Sequence, residues 1–308
     1  MRAASARTLG MIGDRRAIKG LAVVLKDERY FVRQQAAIAL GQMGDAAVSL
    51  LLEMANSSAP TTREAAIEAL GTTNSSRAAD RVIEALSDSN PNVRSAAVRA
   101  LGESSSEGAV PHLLALLRDE SSALRVQAAT SLGRLGPIAL TGLISALRDG
   151  KPSVRQLAAS ALGDIGSKDA VAPLIDLVSS DQSGARPEAI EALGKIGDPA
   201  AIVPILSVLR TASVAARKKA IVALARFRDP RVIDALSAAL LDQNEDVRRS
   251  AVAGLGDVGD ERVVARLERL ADNDSSSDVR SAAVQAIERI RQDQGIGIKS
   301  QPQKSSRP

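Results

Sequence analysis

The sequence predicts an all-α protein built from a short tandem repeat, and three observations carry that prediction. An arginine returns every 30 to 32 residues, at Arg2, Arg33, Arg63, Arg94, Arg125, Arg155, Arg186, Arg217, Arg248 and Arg280. Seven residues after each arginine stands Leu or Ile, usually followed by Gly, as in Leu40-Gly41, Leu101-Gly102 and Leu255-Gly256. Between these markers the apolar residues recur at helical spacing. A fixed period of this length denotes small units that cannot bury their apolar faces alone and must stack. The expected fold class is an αα-superhelix of nine complete helix pairs, A then B, behind a leading half repeat.

Helix B is read from segments such as Val93-Arg94-Ser95-Ala96-Ala97-Val98-Arg99-Ala100-Leu101-Gly102. Counting the residue before the arginine as offset 0, apolar residues hold offsets 0, 4, 5, 7 and 8. At 100° per residue these form one broad arc of an amphipathic helix. The glycine at offset 9 is expected to end the helix in the left-handed conformation. Helix A should open at Asp198-Pro199 and Asp229-Pro230, where Asp caps free amides and Pro needs no donor. Its apolar face is read from segments such as residues 170–178 and 203–209. Pro204, six residues past its cap, is expected to bend its helix by removing an internal bond. In chain order, a lone helix B spans 2–12, nine pairs follow, and the last pair falls near 261–271 and 278–291.

The repeat makes residues 1–294 one expected domain, with 295–308 as a disordered basic tail. That tail holds Lys299, Lys304 and Arg307 and no acid, so it supplies most of the formal charge of +4. The chain opens inside a helix B with no helix A before it, leaving Ala6 and Leu9 without expected cover. Missing repeats or self-association at this end would supply it. There is no cysteine, which excludes disulfides, iron-sulfur clusters and zinc thiolate sites. Met1 to Gly10 carries no apolar run suited to a signal peptide or membrane span, so the expected location is cytoplasmic, without membrane insertion. Tyr30, Phe31 and Phe227 are the whole aromatic inventory, leaving almost nothing for base stacking.

Tetratricopeptide units need large aromatics and ankyrin units a Thr-Pro-Leu-His element, and neither pattern occurs. The two-helix unit with Val-Arg opening helix B and Ala-Leu-Gly near its end resembles the HEAT family, and more narrowly the phycobilisome-lyase HEAT-like repeat, over residues 2 to 291. Its period is shorter than the usual HEAT value of about 40 to 47. The resemblance implies a right-handed, armadillo-like superhelix. It also implies that helix B lines the concave side.

The repeated arginine is read as structural. Six residues before it stands an acceptor, Asp27, Asp88, Asp119, Asp149, Asp242 or Asp274 in six units and Ser57, Ser180 or Thr211 in three. Arg33, Arg94, Arg125, Arg155, Arg248 and Arg280 with these acids are expected to form a ladder across the turns between helices A and B. His112 is the single histidine and cannot build a multidentate metal site. HEAT enzymes of the deoxyhypusine hydroxylase type bind iron through repeated His-Glu pairs, which this chain lacks. Without Cys and with one His, no spacing singles out a catalytic group, and no cofactor is expected.

Binding is expected at helix B offsets 2, 3 and 6. Val126, Gln127, Thr130, Gln156, Leu157 and Ser160 form a weakly polar patch suited to a protein segment. Lys218, Lys219 and Arg249 are basic candidates. The first two belong to a cluster with Arg210, Arg217, Arg226, Arg228 and Arg231, opposed between 210 and 231 only by Asp229. The resulting expectation is a non-catalytic scaffold for one or more protein partners. The resemblance supplies an alternative, an auxiliary subunit of a phycobilin lyase-like enzyme acting on a light-harvesting protein. A nucleic-acid-associated scaffold rests on the basic cluster alone, and the missing aromatics argue against it.

Overall fold

A computed structural model describes residues 1–73, 75–104, 106–180, 184–211 and 213–293. The chain divides into two compact units, Met1–Ala170 and Val171–Pro308. The first opens with α1 (Arg2–Ile12) and continues with five pairs: α2 (Ile18–Val24) and α3 (Tyr30–Gln42), α4 (Asp45–Met54) and α5 (Pro60–Gly71), α6 (Ser76–Glu84) and α7 (Pro91–Glu103), α8 (Ala109–Leu116) and α9 (Ser122–Leu135), α10 (Leu140–Ala146) and α11 (Pro152–Ile165). The second holds four pairs: α12 (Val171–Ser180) and α13 (Arg186–Ile196), α14 (Ile202–Thr211) and α15 (Val214–Leu224), α16 (Pro230–Ala239) and α17 (Glu245–Val258), α18 (Val264–Asn273) and α19 (Ser277–Asp293). No strand occurs among the described residues.

Each unit is two-layered, with A helices stacked on one side and B helices on the other. Its core is a set of rows running through successive repeats. In the first unit one row is Leu21, Leu51, Val82, Leu113 and Leu143 from the A helices; in the second it is Leu174, Ile205, Leu236 and Leu267, all essentially inaccessible. Leu40, Leu70, Leu101, Leu132 and Leu162 face the first row from helix B offset 8 and are equally buried. Each such side chain stabilises by about 1.5–3 kcal/mol relative to exposure. The rows explain the repeat: every layer needs the same large aliphatic at the same place to meet its neighbour.

The offset-9 glycines do not cap their helices in the left-handed conformation. Gly41, Gly102 and Gly256 lie inside α3, α7 and α17 and are buried. Their role is close approach. A Cβ on Gly71 would stand 2.5 Å from the Cβ of Ala100, and one on Gly102 2.6 Å from that of Ser131. Glycine at offset 9 thus admits offset 7 of the following B helix, and the two backbones come together as no larger residue allows. Ser131 uses that approach to donate a 2.9 Å hydrogen bond to the Val98 carbonyl of the previous B helix. In four repeats the left-handed cap comes three residues later. Gly13, Gly166, Gly197 and Gly259 have φ between 70° and 72° and return their amides to the carbonyls of Leu9, Leu162, Leu193 and Leu255. That left-handed cap needs an absent Cβ.

Pro204 does not bend a helix either. Pro199–Ala201 form a 3-10 turn after the Asp198 cap, and α14 begins only at Ile202. Pro204 therefore lies in a first turn, where its missing amide would have had no intrahelical acceptor. The caps themselves are formed: Asp198 accepts from the Ala200 amide at 3.0 Å and Asp229 from that of Arg231 at 2.9 Å. At the start of the chain, α1 packs on α3 and buries Ala6, so the next B helix supplies the cover expected to be missing from Ala6. Leu9 is 36% exposed. Residues 295–308, read as a disordered tail, lie outside the described residues.

The arginines bind at the turns between A and B helices through two kinds of contact. Within its own turn, Nη1 donates to the carbonyl six residues back: Arg33 to Asp27 at 2.9 Å, Arg94 to Asp88 at 2.8 Å, Arg125 to Asp119 at 2.7 Å, Arg155 to Asp149 at 2.6 Å, Arg248 to Asp242 at 2.9 Å and Arg280 to Asp274 at 2.7 Å. Backbone oxygen, not the carboxylate, is the acceptor inside the turn. The carboxylate takes the amide two residues on, as Asp119 takes Ser121 and Asp149 takes Lys151, both at 2.8 Å. In several turns it also takes the arginine of the preceding repeat. Arg2 reaches Asp27 at 2.5 Å, and Arg63 to Asp88, Arg217 to Asp242 and Arg248 to Asp274 are pairs at 2.8 Å. Asp149 is instead paired with Arg118.

Candidate functional site

The B helices present the varied residues. In successive repeats, offsets 2 and 6 remain at least partly accessible, as at Gln34, Ile38, Glu64, Glu68, Val126, Thr130, Lys218 and Val222. Offset 3 is less regular than its helical angle suggests: Ala65 and Ala96 are buried, because a methyl group lets adjoining B helices close over it. Accessible and buried offsets thus divide the repeat into a constant packing surface and a changing face.

In the first unit, Val126 is 55% exposed, Thr130 and Ser160 are exposed, and Gln127, Gln156 and Leu157 are half-buried. Gln127 accepts a 2.9 Å bond from Ser95, and Thr130 returns its hydroxyl to the Val126 carbonyl at 3.0 Å. The patch is therefore the exposed Val126 of α9 and the half-buried Leu157 of α11, with Gln127 and Thr130 already engaged within the stack. A stronger feature of this face lies nearer the start. Tyr30 and Phe31 are 49% and 62% exposed at offsets −2 and −1, and Ile38 follows Phe31 two turns later. The Arg33 guanidinium lies 5.8 Å from the Tyr30 ring centroid, and Arg99 pairs with Glu68 at 2.5 Å. The Glu68 charge, then burial, raises the Tyr30 phenol above its ordinary range. Glu64 is raised by burial and then by Glu68. The sequence signal for this cluster was available: two of three aromatics stand side by side at positions outside the buried offsets.

In the second unit the accessible residues of α13, α15 and α17 surround a groove of about 440 Å³. Pro187, Ala215, Val222 and Ala223 give it an apolar floor, and Lys218, Lys219 and Arg226 a basic rim beside Glu191. Lys219 pairs with Glu191 at 2.5 Å and Lys195 approaches the same carboxylate at 3.7 Å. Lys219 first, then the further cations Lys195 and Arg226, holds the Glu191 carboxyl below its usual range against the opposing effect of burial. Lys218 stands 3.8 Å from Asp246, whose carboxylate also takes Arg249 at 2.6 Å.

The linear basic cluster is redistributed by the fold. Arg217 belongs to the turn pair with Asp242, and Arg231 pairs with its cap residue Asp229 at 2.7 Å. Arg228 lines a separate cleft with Asp229, Asp260 and Arg262. Lys218, Lys219 and Arg226 remain at the groove, where Lys195 shares Glu191 with Lys219 and Arg249 shares Asp246 with Lys218. A wider cleft, of about 990 Å³, lies between α16 and α18 with Arg266, Arg269 and Leu241 in its walls and the Arg248 and Asp274 turn pair among its lining.

His112 is exposed on α8. Among the described residues no group of three or more His, Cys, Asp or Glu is placed to hold a metal ion, and no helix is long and apolar enough to cross a membrane. The groove's groups can form ion pairs and apolar contacts.

A family model of HEAT repeats matches residues 1–71, 48–133, 140–215 and 202–288. No curated protein gives a match. Among solved structures the chain is similar to Kap95p, from a structure in which its binding induces the switch loops of RanGDP to adopt the GTP-bound conformation, at 15% identity and a TM-score of 0.60 over 94% of this chain and 47% of that one. Kap121p is similar at 16% identity and a TM-score of 0.55 over 90% of this chain and 37% of that one. The complex of CpcE and CpcF of phycocyanin lyase from Nostoc sp. PCC7120 matches at 27% identity and a TM-score of 0.42, over 68% of this chain and 86% of that one. The two Kap likenesses speak to the fold, and this chain spans less than half the length of either.

Proposed function

The chain belongs to the HEAT-repeat family, and on that premise we propose that it is a non-catalytic scaffold that binds one or more protein partners along its B-helix face. The observation that carries this reading is the division of labour within the repeat. Residues that recur are consumed by stacking, turns and caps, whereas those that change from repeat to repeat, Gln34, Ile38 and Val126 in the first unit and Lys218 and Val222 in the second, stay accessible on the B-helix layer of their unit. A surface held by the stack orders little on binding, so contacts summed along a partner are opposed by less conformational entropy.

The test places a photo-crosslinking side chain at Val126 or Val222 on B helices, and at Val203 on the A-helix α14, in separate preparations exposed to source lysate. The expected result is a common protein adduct from the two B-face positions and none from Val203, which is itself 60% exposed. Adducts formed chiefly through Val203 would overturn the B-face reading. A client carrying visible bilin absorbance would favour the auxiliary lyase subunit instead, and nuclease-sensitive adducts a nucleic-acid scaffold.

A further inference from the structure

We infer that the groove over α13, α15 and α17 receives an acidic segment of a protein partner, with an aliphatic side chain of that segment seated on Val222; this rests on the scaffold reading and names the partner chemistry. Three cations, Lys218, Lys219 and Arg226, line the groove with one carboxylate, Glu191, and the pairs made by Lys195 with Glu191 and by Arg249 with Asp246 and Asp278 add two cations and two carboxylates around it. Two of those carboxylates are shared. Glu191 serves Lys219 and Lys195 with Arg226 nearby, and Asp246 serves Lys218 and Arg249. The local excess is positive, and the 3.8 Å separation of Lys218 from Asp246 leaves that ammonium able to turn toward a new carboxylate without breaking a close bond.

The floor selects the rest of the ligand. Val222 is 55% exposed between the cations, flanked by Ala223 and Pro187. A carboxylate partner bearing a small aliphatic group satisfies both the rim and the floor, which a basic segment would not. A nucleic acid would find cations but no ring to stack on, since Phe227, the aromatic residue of this unit, is buried at 5% exposure. Exposed charge pairs each contribute modestly. Specificity then comes from several weak attractions together with repulsion of the wrong sign of charge.

Fluorescence anisotropy on the full chain would test this with three labelled probes: a short peptide of Glu and Leu, its counterpart of Lys and Leu, and oligothymidylate. The acidic peptide should bind, weaken as salt rises, and lose about tenfold in affinity when Lys218→Gln and Arg226→Gln are combined. Val222→Asp should weaken it as well, while Lys26→Gln, an exposed lysine of the other unit, should leave it unchanged. Circular dichroism melts of each variant separate lost binding from lost folding. Equal binding of the acidic and basic peptides, no binding of the acidic peptide, or an unchanged affinity in the folded double variant would overturn the inference, as would preferential binding of oligothymidylate. The crosslinking outcome is independent. B-face protein adducts with failure of the acidic probe would sink only the partner chemistry, whereas acidic-peptide binding with adducts solely from α14 would sink the scaffold face.

Discussion

Replacing Asp88 by Asn tests whether the contacts between turns stabilise the stack. Asp88 accepts the Asn90 amide at 2.8 Å and receives Arg63 through two bonds, Nε at 2.9 Å and Nη2 at 2.8 Å. The paired side chains are only 14% and 10% exposed. Asparagine keeps one carbonyl oxygen for the turn but cannot accept both guanidinium bonds, and it leaves the arginine charge uncompensated. Breaking a fully buried pair costs about 3–5 kcal/mol and an exposed one about 0–1 kcal/mol, which places this mostly buried pair at roughly 2–3 kcal/mol. For a unit of this size the melting temperature should fall by roughly 5–10 °C. Calorimetry of Asp88→Asn, Arg63→Gln and the double variant would measure the coupling directly. The pH dependence gives a second check. The hydrogen bond from Arg63 holds the Asp88 carboxyl below its ordinary range. Its contribution is complete above the unfolded value of about 4 and is lost as pH falls through the lower folded value. The gap between wild type and Asp88→Asn should therefore narrow in acid. A melting difference under about 1 °C at pH 7, or a gap that widens in acid, would show that the pair does not stabilise the stack.

Other outcomes follow from the same geometry. Gly71→Ala should destabilise by about 1–3 kcal/mol in urea titration, because its Cβ would meet that of Ala100 at 2.5 Å. Gly20→Ala, within α2 and with nothing inside 4 Å, should instead stabilise by about 0.5–1 kcal/mol. Pro204→Ala should change stability by less than about 0.5 kcal/mol, since the proline stands in a first turn; a large gain would restore the bent-helix reading. The carboxyl of Asp229 should titrate at about 2 by NMR, drawn down by the Arg231 side chain and then its amide. In Arg231→Ala it should move back toward about 3.9, and an unmoved value would discard the side-chain cause.

Period and polarity were legible in the chain because stacking imposes one chemical demand again and again. Each layer must offer a large aliphatic where the last one did, so Leu21, Leu51, Leu113 and Leu143 announce the core without coordinates. The capping aspartates were legible for the same reason, since they act on amides two residues away. Glycine was misleading because its two uses share a composition. Only packing distinguishes Gly102, which lets Ser131 approach, from Gly166, whose φ of 72° ends a helix. The carboxylate of Asp88 was likewise assignable to a turn from sequence, whereas its arginine, 25 residues earlier, belongs to the preceding repeat.

The proposed binding face divides along the same line. Local spacing showed which offsets point away from the core, and so placed Lys218, Lys219 and Val126 on the accessible layer. Spacing along the chain could not show that Arg217 and Arg231 are spent on pairs with Asp242 and Asp229 while Lys195 and Arg249 share the carboxylates of Lys219 and Lys218 from other helices. A helix brings together residues three or four apart, and sequence records that distance; the stack brings together residues about thirty apart, and only the tertiary structure decides which of their charges meet.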